Sequence, residues 1–411
     1  MKSTTRYQAE LPAHVPPHLV HDFDIYDPGQ GEREHFDALR HLHEIHVPDI
    51  FWTRHNGGHW IMARGEYIAE ATKDPATFSS TRMSVPDEFN FTENRLLPIM
   101  VDPPDHTVYR ALISPAFSPV AIKHLEGGIR ELAVKLIEGM KPKGGCDFID
   151  DFSLHLPIEI FMRLVDLPAE HRLPLLELSN RIQKPSETRK DDVLKLIIDY
   201  LAPITAERKA NPGPDLISKM AQGKINGRPL TDVEINQVCA LLMLGGLDTV
   251  ASSLGVIAHF LANSPEHRHD LADHPEIIPN AVEELLRRFP VVTGPGRYIM
   301  KDTVFHDVQL KQGDHIIMPR ALYNFDDRLF ADPMKVDFRR PKPIHASFGT
   351  AGGPHRCPGS FLARTEIHIF LEEWPKRIRD FEVKPGASIK YEGGANVSVR
   401  SLPLVWRQAA A

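Results

Sequence analysis

The chain has 411 residues, of which 42% are hydrophobic and 25% are charged, and this ordinary globular composition excludes an intrinsically disordered chain. The formal net charge of −7 argues against nucleic acid as the main partner. Three cysteines, Cys146, Cys239 and Cys357, are too few and too far apart for a disulfide framework or a paired-cysteine zinc site.

The N-terminal segment carries no recognisable targeting signal. Residues 1–20 are polar and broken by prolines, and they contain no apolar stretch of the kind that a signal peptide requires. Because the low cysteine content also fits a reducing compartment, we predict a cytoplasmic protein.

Helical spacing of apolar residues dominates the chain, and strand signals are short. The predicted helices are Pro119–Met140, Leu154–Leu164, Asp191–Ala210, Asp232–Ala262, Pro265–Ala272, Ile277–Arg288 and Phe361–Trp374. The predicted strands are Gly58–Ala63, Tyr298–Ile299, Val308–Leu310, His315–Pro319 and Leu402–Trp406.

The order of these elements predicts one large, mainly α domain over residues 1–411 with a minor β region, because no Gly/Ser-rich or proline-rich linker separates independent halves. The α-rich core is expected at residues 100–290 and 355–380. The β-containing parts are expected at residues 58–64, 298–320 and 385–406.

The apolar segment 238–262 is long enough to suggest a membrane span. Asp248 lies near its middle, and a carboxylate there would cost about 2.5–3.5 kcal/mol on insertion. We therefore predict a central helix that other helices bury, and no membrane. Gly245 and Gly246 cost this helix about 1 kcal/mol each relative to alanine, which close helix packing would explain.

The segment FGTAGGPHRCPG, residues 348–359, places Cys357 just before a predicted helix. Unpaired backbone N–H groups and the helix dipole favour a thiolate at such a position, and a thiolate is a good ligand for iron. A buried structural cysteine is the ordinary alternative, and we assign it to Cys146 and Cys239. A nucleophilic cysteine with His355 as its base is less favoured, because catalytic pairs generally come from separate parts of a chain.

Taken in order, the motifs of this chain resemble those of the haem-thiolate monooxygenase family, cytochrome P450, and specifically its bacterial camphor-hydroxylase group. The motifs are DPPDHTVYRAL near residue 105, GGLDT at 245–249, EELLRRF with Glu284 and Arg287, VDFRRPK, the cysteine loop, and LAR at 362–364. The loop from Phe348 to Cys357 is two residues longer than the usual family pattern, whereas His355, Cys357 and Gly359 keep their usual offsets.

The resemblance implies that the fold is that of a cytochrome P450 and that the cofactor is haem b, with Cys357 as the axial ligand of its iron. The residues that it implies for holding the haem are His106, Arg110, Gly245, Arg297, Phe348, His355 and Gly359, four of which (His106, Arg110, Arg297 and His355) would bind the propionates. Taken singly, each of those charged residues would be an ordinary surface charge.

The resemblance also implies catalytic and structural roles. For Gly245 and Gly246 it implies a local widening of the helix that admits dioxygen, as the alternative to close helix packing. Thr249 would hydrogen-bond the dioxygen being activated, and Asp248 would connect it to a proton supply; a satisfied buried carboxylate is the alternative for Asp248. Glu284 and Arg287 would form a buried structural cluster with Arg340, rather than an exposed pair worth about 0–1 kcal/mol.

The expected substrate pocket is mostly apolar with one or two amides. Its expected members are Asn94, Ile99, Leu241, Leu244, Val292, Ala395 and Asn396. Asn94 stands where the camphor enzyme has a tyrosine that donates to the substrate ketone. We therefore expect a different terpenoid ketone, such as an ionone-like norisoprenoid.

The chain has no room for a reductase domain, so electrons are expected from a 2Fe–2S ferredoxin. A basic patch would steer it to an otherwise acidic, monomeric protein. The residues expected in that patch are Arg110, Lys342, Arg356 and Arg364. Two rival hypotheses remain. One is a peroxide-driven peroxygenase, a class whose members generally replace the acid–alcohol pair that Asp248 and Thr249 form here. The other is a non-catalytic haem or ligand sensor.

Overall fold

Helices carry most of the secondary structure in the computed structural model, which describes residues 8–29, 34–87, 90, 95–183, 190–341 and 343–407. The first group of helices is α1 His35–Glu44, α2 Gly65–Ala71, α3 Asp105–Ile113, α4 Pro119–Met140, α5 His155–Leu164, α6 Arg172–Gln183 and α7 Lys190–Ala210. The second group is α8 Leu216–Ala221, α9 Asp232–Asn263, α10 Pro265–Asp273, α11 Ile278–Arg288, α12 Arg320–Asn324 and α13 Ser360–Arg377.

The strands are short and form several small sheets. They are β1 Ile50–Thr53, β2 His59–Met62, β3 Phe78–Ser79, β4 Gly145–Asp147, β5 Lys224–Ile225, β6 Arg228–Pro229, β7 Gly296–Ile299, β8 Thr303–Phe305, β9 Val308–Leu310, β10 His315–Ile317, β11 Phe381–Val383, β12 Tyr391–Glu392, β13 Ser398–Val399 and β14 Pro403–Trp406. The largest sheet has the order β1-β2-β10-β7-β3. In it β10 pairs antiparallel with β7, which sets Ile316 opposite Arg297.

Helix α9 is the central element of the fold. Its start is a capping box, in which the Thr231 hydroxyl accepts from the Glu234 N–H and the Glu234 carboxylate accepts from the Thr231 N–H. It ends at Asn263, just before Pro265 opens α10. Among the described helices α9 alone is long and apolar enough to cross a membrane, but 67% of its most apolar window is buried inside the protein. This burial confirms the predicted core helix.

Two hydrophobic clusters meet along α9. Its first half, from Ile235 to Leu247, packs in one cluster with α5, α7 and α8. Its second half, from Val250 to Ala262, packs in another cluster with α4 and α13. The polar residues at 248 and 249 therefore lie where the two clusters adjoin.

The predicted fold class and the long helices are confirmed, with boundaries within two residues except at the end of α13, which continues three residues beyond the predicted Trp374. The five predicted strands are confirmed within two residues. The predictions missed short elements such as α2, α12 and β4. Elements of this length carry too few apolar residues to establish a period, and neighbouring segments stabilise them instead.

Candidate active site

The loop before α13 folds back on itself around Cys357. The Cys357 N–H donates to the carbonyl oxygen of Phe348 at 2.8 Å. Gly349 adopts φ +94°, and a Cβ there would approach the Arg356 Cα to 3.3 Å, so this turn requires glycine. Gly359 caps the helix, and a Cβ at that position would lie 3.8 Å from the Cys357 Sγ. Backbone thus approaches the sulfur closely from the helix side.

The stretched part of the loop, residues 350–353, lies against the end of α2. Thr350 is buried, and its hydroxyl contacts the Thr72 hydroxyl just beyond the end of α2. A Cβ on Gly353 would lie 3.3 Å from the Thr72 carbonyl oxygen. The longer loop therefore packs against α2 and leaves the Phe348–Cys357 hydrogen bond in place.

Phe348 is covered by a half-buried ion pair. The Arg364 guanidinium lies 4.6 Å from the centre of the Phe348 ring. Arg364 donates to both carboxylate oxygens of Glu283, at 2.5 and 2.9 Å, and His345 lies 3.2 Å from the same carboxylate. Helices α11 and α13 thereby clamp the start of the cysteine loop.

Burial raises the pKa of the Cys357 thiol, and this effect exceeds the opposing effects of its surroundings. The groups that lower it are the Gly359 N–H and the guanidinium groups of Arg110, Arg320 and Arg364. The helix terminus by itself therefore does not ionise the thiol, contrary to our simplest expectation. A bound metal ion would supply the missing stabilisation of the thiolate. Cys146 and Cys239 lack such a set of cations, and burial raises the pKa of each to about 12.

Four predicted cofactor-binding side chains converge beside this loop. The His106 and His355 rings lie 4.2 Å apart, and His355 Nε2 is 3.6 Å from Asp102 Oδ1. Both ring nitrogens of His106 are buried without a hydrogen-bond partner in the described structure, and burial lowers its pKa to about 4. Arg297 is buried on β7, and burial lowers its pKa to about 10. Arg110, on α3, donates to the Arg356 carbonyl oxygen.

Sequence reasoning missed one member of this cluster. Arg320 opens α12, three residues after β10, and its Nε and Nη1 atoms are buried without a partner in the described structure. A lone arginine after an apolar strand carries no spacing signal that would have identified it. The cluster is thus rich in buried donors and poor in acceptors, which fits a ligand that bears two carboxylates, as haem does.

The polar pair of α9 has defined partners. Thr249 donates from its hydroxyl to the Gly245 carbonyl oxygen at 2.7 Å. The Asp248 carboxylate accepts from the Asn396 amide at 2.6 Å, and the Ser252 hydroxyl lies 3.5 Å away. Asp248 is buried, so these donors compensate part of the cost of burying its charge.

The glycine pair of α9 does not serve close helix packing. Apart from the neighbouring backbone of α9 itself, a Cβ built on Gly245 or Gly246 would meet no described atom within 4 Å. Gly255, farther along the same helix, differs because its Cβ would lie 2.7 Å from Ile149 Cδ1. Of the two explanations for the glycine pair, open space beside α9 is the one that the structure supports.

The predicted substrate-contact residues fall into three groups. Val292 and Asn396 form an antiparallel bridge, and the Ala395 carbonyl oxygen accepts from the Thr293 N–H, so these segments lie together opposite Asp248. Leu241 and Leu244 are half-buried on α9, and Ile99 is half-buried before α3. Asn94 lies outside the described residues.

Glu284 and Arg287 are fully buried and bonded to each other, with Arg287 Nε 2.8 Å from Glu284 Oε2. Arg340 Nε lies 3.1 Å from Glu284 Oε1. Arg287 also donates to the Asn324 carbonyl oxygen, and the Asn324 amide oxygen accepts from the Ala346 N–H. The cluster therefore reaches the segment that leads into the cysteine loop.

Of the residues predicted for the basic patch, fewer are exposed and unpaired in the described structure than the sequence analysis expected. Glu283 neutralises Arg364, and Arg110 is half-buried. Arg356 is exposed, and Lys342 lies outside the described residues.

Comparisons with known proteins agree with this geometry. The family model described as Cytochrome P450 matches residues 158–392. The "Probable cytochrome P450 127A1" of Sinorhizobium fredii is 31% identical over 404 residues, which cover 96% of this chain and 97% of the relative. The crystal structures of CYP101J2 and of cytochrome P450 CYP101C1 are each 36% identical and cover 97% of this chain and 100% of theirs, with TM-scores of 0.88 and 0.89. The chain belongs to the cytochrome P450 family, whose monooxygenases bind haem b through a cysteine thiolate.

Proposed function

We propose that this monooxygenase hydroxylates an unactivated C–H bond of an apolar terpenoid or norisoprenoid, using electrons from a 2Fe–2S ferredoxin. The overall reaction consumes the substrate, O2, two electrons and two protons, and yields the alcohol and water. The observation that carries the proposal is the acceptor-poor cluster of buried donors beside the Cys357 loop.

Haem, when bound, supplies oxygen activation and C–H oxidation. We assign the iron ligand to Cys357, with the loop of Phe348 and Gly359 around the sulfur. The propionates would be held by His106, Arg110, Arg297 and His355, because charge-assisted hydrogen bonds to carboxylates are the strong kind. Gly245 would leave room for the cofactor's distal side.

Asp248 and Thr249 are proposed to deliver protons. The Asp248 carboxylate, held by the Asn396 amide, lies beside Thr249 on α9 and can take up a proton and release it. The Thr249 hydroxyl already donates to the Gly245 carbonyl, which leaves its oxygen lone pairs available to accept a hydrogen bond from a bound donor.

The substrate class is proposed from the pocket walls. Leu241, Leu244 and Val292 are apolar and half-buried, which suits an apolar ligand. The Asn396 amide is engaged with Asp248, so it offers the substrate less than our sequence interpretation assumed. A ligand with few polar groups is therefore favoured.

The remaining partner assignments are proposals of the same kind. Arg110 and Arg356 would contribute positive charge near the cysteine loop, and this supports the docking of an acidic ferredoxin there. Cytoplasmic localisation and a monomeric state are proposed with it.

The decisive experiment is the ferrous–CO absorbance spectrum of the purified chain and of Cys357→His. We expect the band of a thiolate-ligated haem in the wild type and its loss in the variant, while Cys239→Ala keeps it. A colourless wild type, or an unchanged band in Cys357→His, would overturn the ligand assignment. Titration with terpenoids and norisoprenoids, read as a haem spin-state shift, tests the substrate class, and no response to any of them contradicts it.

A further inference from the structure

Arg320 is a buried cation without an acidic partner. It is 9% exposed, and no side-chain hydrogen bond is formed by it within the described structure. Its Nη2 atom would lie 3.7 Å from a Cβ on Gly349, so the guanidinium sits over the cysteine loop.

The surroundings of Arg320 disfavour its charge on balance. Burial, together with the like charge of Arg297, lowers the pKa of Arg320 to about 10, whereas the Cys357 sulfur acts in the opposite direction. Asp102 is the carboxylate that acts on Arg297, and it already accepts from the Ser79 hydroxyl and the Ser80 N–H. The carboxylate beside Arg297 is therefore already occupied, and no carboxylate is among the groups that act on Arg320.

Two other buried arginines of the described structure, Arg64 and Arg268, have carboxylate partners. Arg64 pairs with Asp49, Asp326 and Asp327. Arg268 is 5% exposed, donates to the Leu261 carbonyl oxygen and lies 3.6 Å from Asp380. An uncompensated buried charge is strongly destabilising, so the retention of Arg320 without a described carboxylate partner favours an anion from outside the chain.

We propose that Arg320 binds a propionate carboxylate of the haem, as an anchor of this chain in addition to Arg297. The inference rests on the proposed function, because it needs haem beside the Cys357 loop. Haem binding then removes an electrostatic strain that the chain bears without it, and the charge of Arg320 also stabilises electron density at the Cys357 sulfur.

The test uses the full-length holoenzyme and the variants Arg320→Gln and Arg320→Lys. We expect Arg320→Gln to transfer its haem to excess apomyoglobin about tenfold faster than the wild type, because one charge-assisted contact is lost. The haem transfer rate of Arg320→Lys should lie between those of the wild type and Arg320→Gln. The haem reduction potential of Arg320→Gln should be more negative than that of the wild type.

The second readout is urea unfolding of the full chain freed of haem. There Arg320→Gln should raise the unfolding midpoint, since it removes an uncompensated buried charge. Arg268→Gln is the matched control, and it should lower that midpoint and leave the haem transfer rate unchanged.

The outcomes separate the two hypotheses. A wild type that takes up no haem contradicts the proposed function itself. A wild type that binds haem, beside an Arg320→Gln variant with an unchanged transfer rate, overturns the role of Arg320 alone. An Arg320→Gln chain that is less stable without haem, or fails to fold, overturns it equally.

Discussion

At the scale of single residues, the contact between Asn396 and Asp248 joins two parts of the chain that lie far apart in sequence. Asn396 is fixed through its bridge to Val292 and the hydrogen bond between the neighbouring Ala395 and Thr293. Its amide can therefore hold the Asp248 carboxylate in one orientation. We interpret Asn396 as a positioning residue for Asp248 rather than as a substrate contact.

Replacing Asn396 tests this interpretation. Asn396→Leu should keep the ferrous–CO band but lower the fraction of electrons that enter product, with a matching rise in hydrogen peroxide, because the proton-delivering carboxylate loses its orientation. Product and peroxide per NADH consumed are the measurement. Asn396→Gln, which keeps the amide, should recover part of the product formed per NADH. An equal amount of product per NADH in the wild type and Asn396→Leu would contradict the interpretation.

At the scale of secondary-structure elements, the clamp between α11 and α13 depends on an ionised carboxylate. Burial raises the pKa of Glu283, but hydrogen bonds from His345 and Arg364 and the Arg364 charge outweigh it, so the pKa falls from 4.5 to about 2. A depressed carboxyl pKa stabilises the fold above pH 4.5, and the stabilisation is lost as the pH falls toward 2.

Glu283→Gln should accordingly reduce the free energy of unfolding by about 2 kcal/mol at pH 7. The difference from the wild type should shrink below pH 4.5 and disappear near pH 2. Urea unfolding across this pH range measures it. The exposed Glu138→Gln is a control with a small effect throughout, and a Glu283 difference that does not depend on pH would refute the prediction.

We expect that replacing Gly245 of α9 stabilises the fold but slows the binding of a ligand to the haem. Gly245→Ala meets open space, so it should raise the free energy of unfolding by up to about 1 kcal/mol through helix propensity. The added methyl group should also slow the binding of CO to the ferrous protein, which flash photolysis measures.

The same helix provides the matched control. Gly255→Ala places its methyl group against Ile149, so it should destabilise the protein and leave CO binding unchanged. If Gly245→Ala destabilises the protein as well, the space beside Gly245 is not open.

At the scale of the whole molecule, electron delivery should depend on few cations, since Glu283 already neutralises Arg364. Arg356→Glu should lower the second-order rate constant of reduction by an acidic ferredoxin about tenfold at low salt, and less at high salt. Stopped-flow reduction at two ionic strengths measures this. Lys311→Glu, in the turn before β10, should have little effect, and equal effects of the two variants would contradict a docking site at the cysteine loop.

The fold and the motifs could be predicted from the sequence more completely than the side-chain contacts. Helices α4, α9 and α13 were predictable because long apolar periods belong to the helix itself. Arg320 was not, because its burial arises where the ends of β7 and β10 meet the cysteine loop. The partner of Asp248 was not predictable either, since 148 residues separate it from Asn396.

The longer cysteine loop has a consequence for biosynthesis. Thr350 joins the segment that carries the proposed iron ligand to Thr72, so the first hundred residues and the last hundred must both be in place before that segment is complete. We therefore expect the chain to bind haem only late in its synthesis and folding. A truncated chain that lacks α2 should contain little haem after expression, even when the cells are supplied with excess porphyrin.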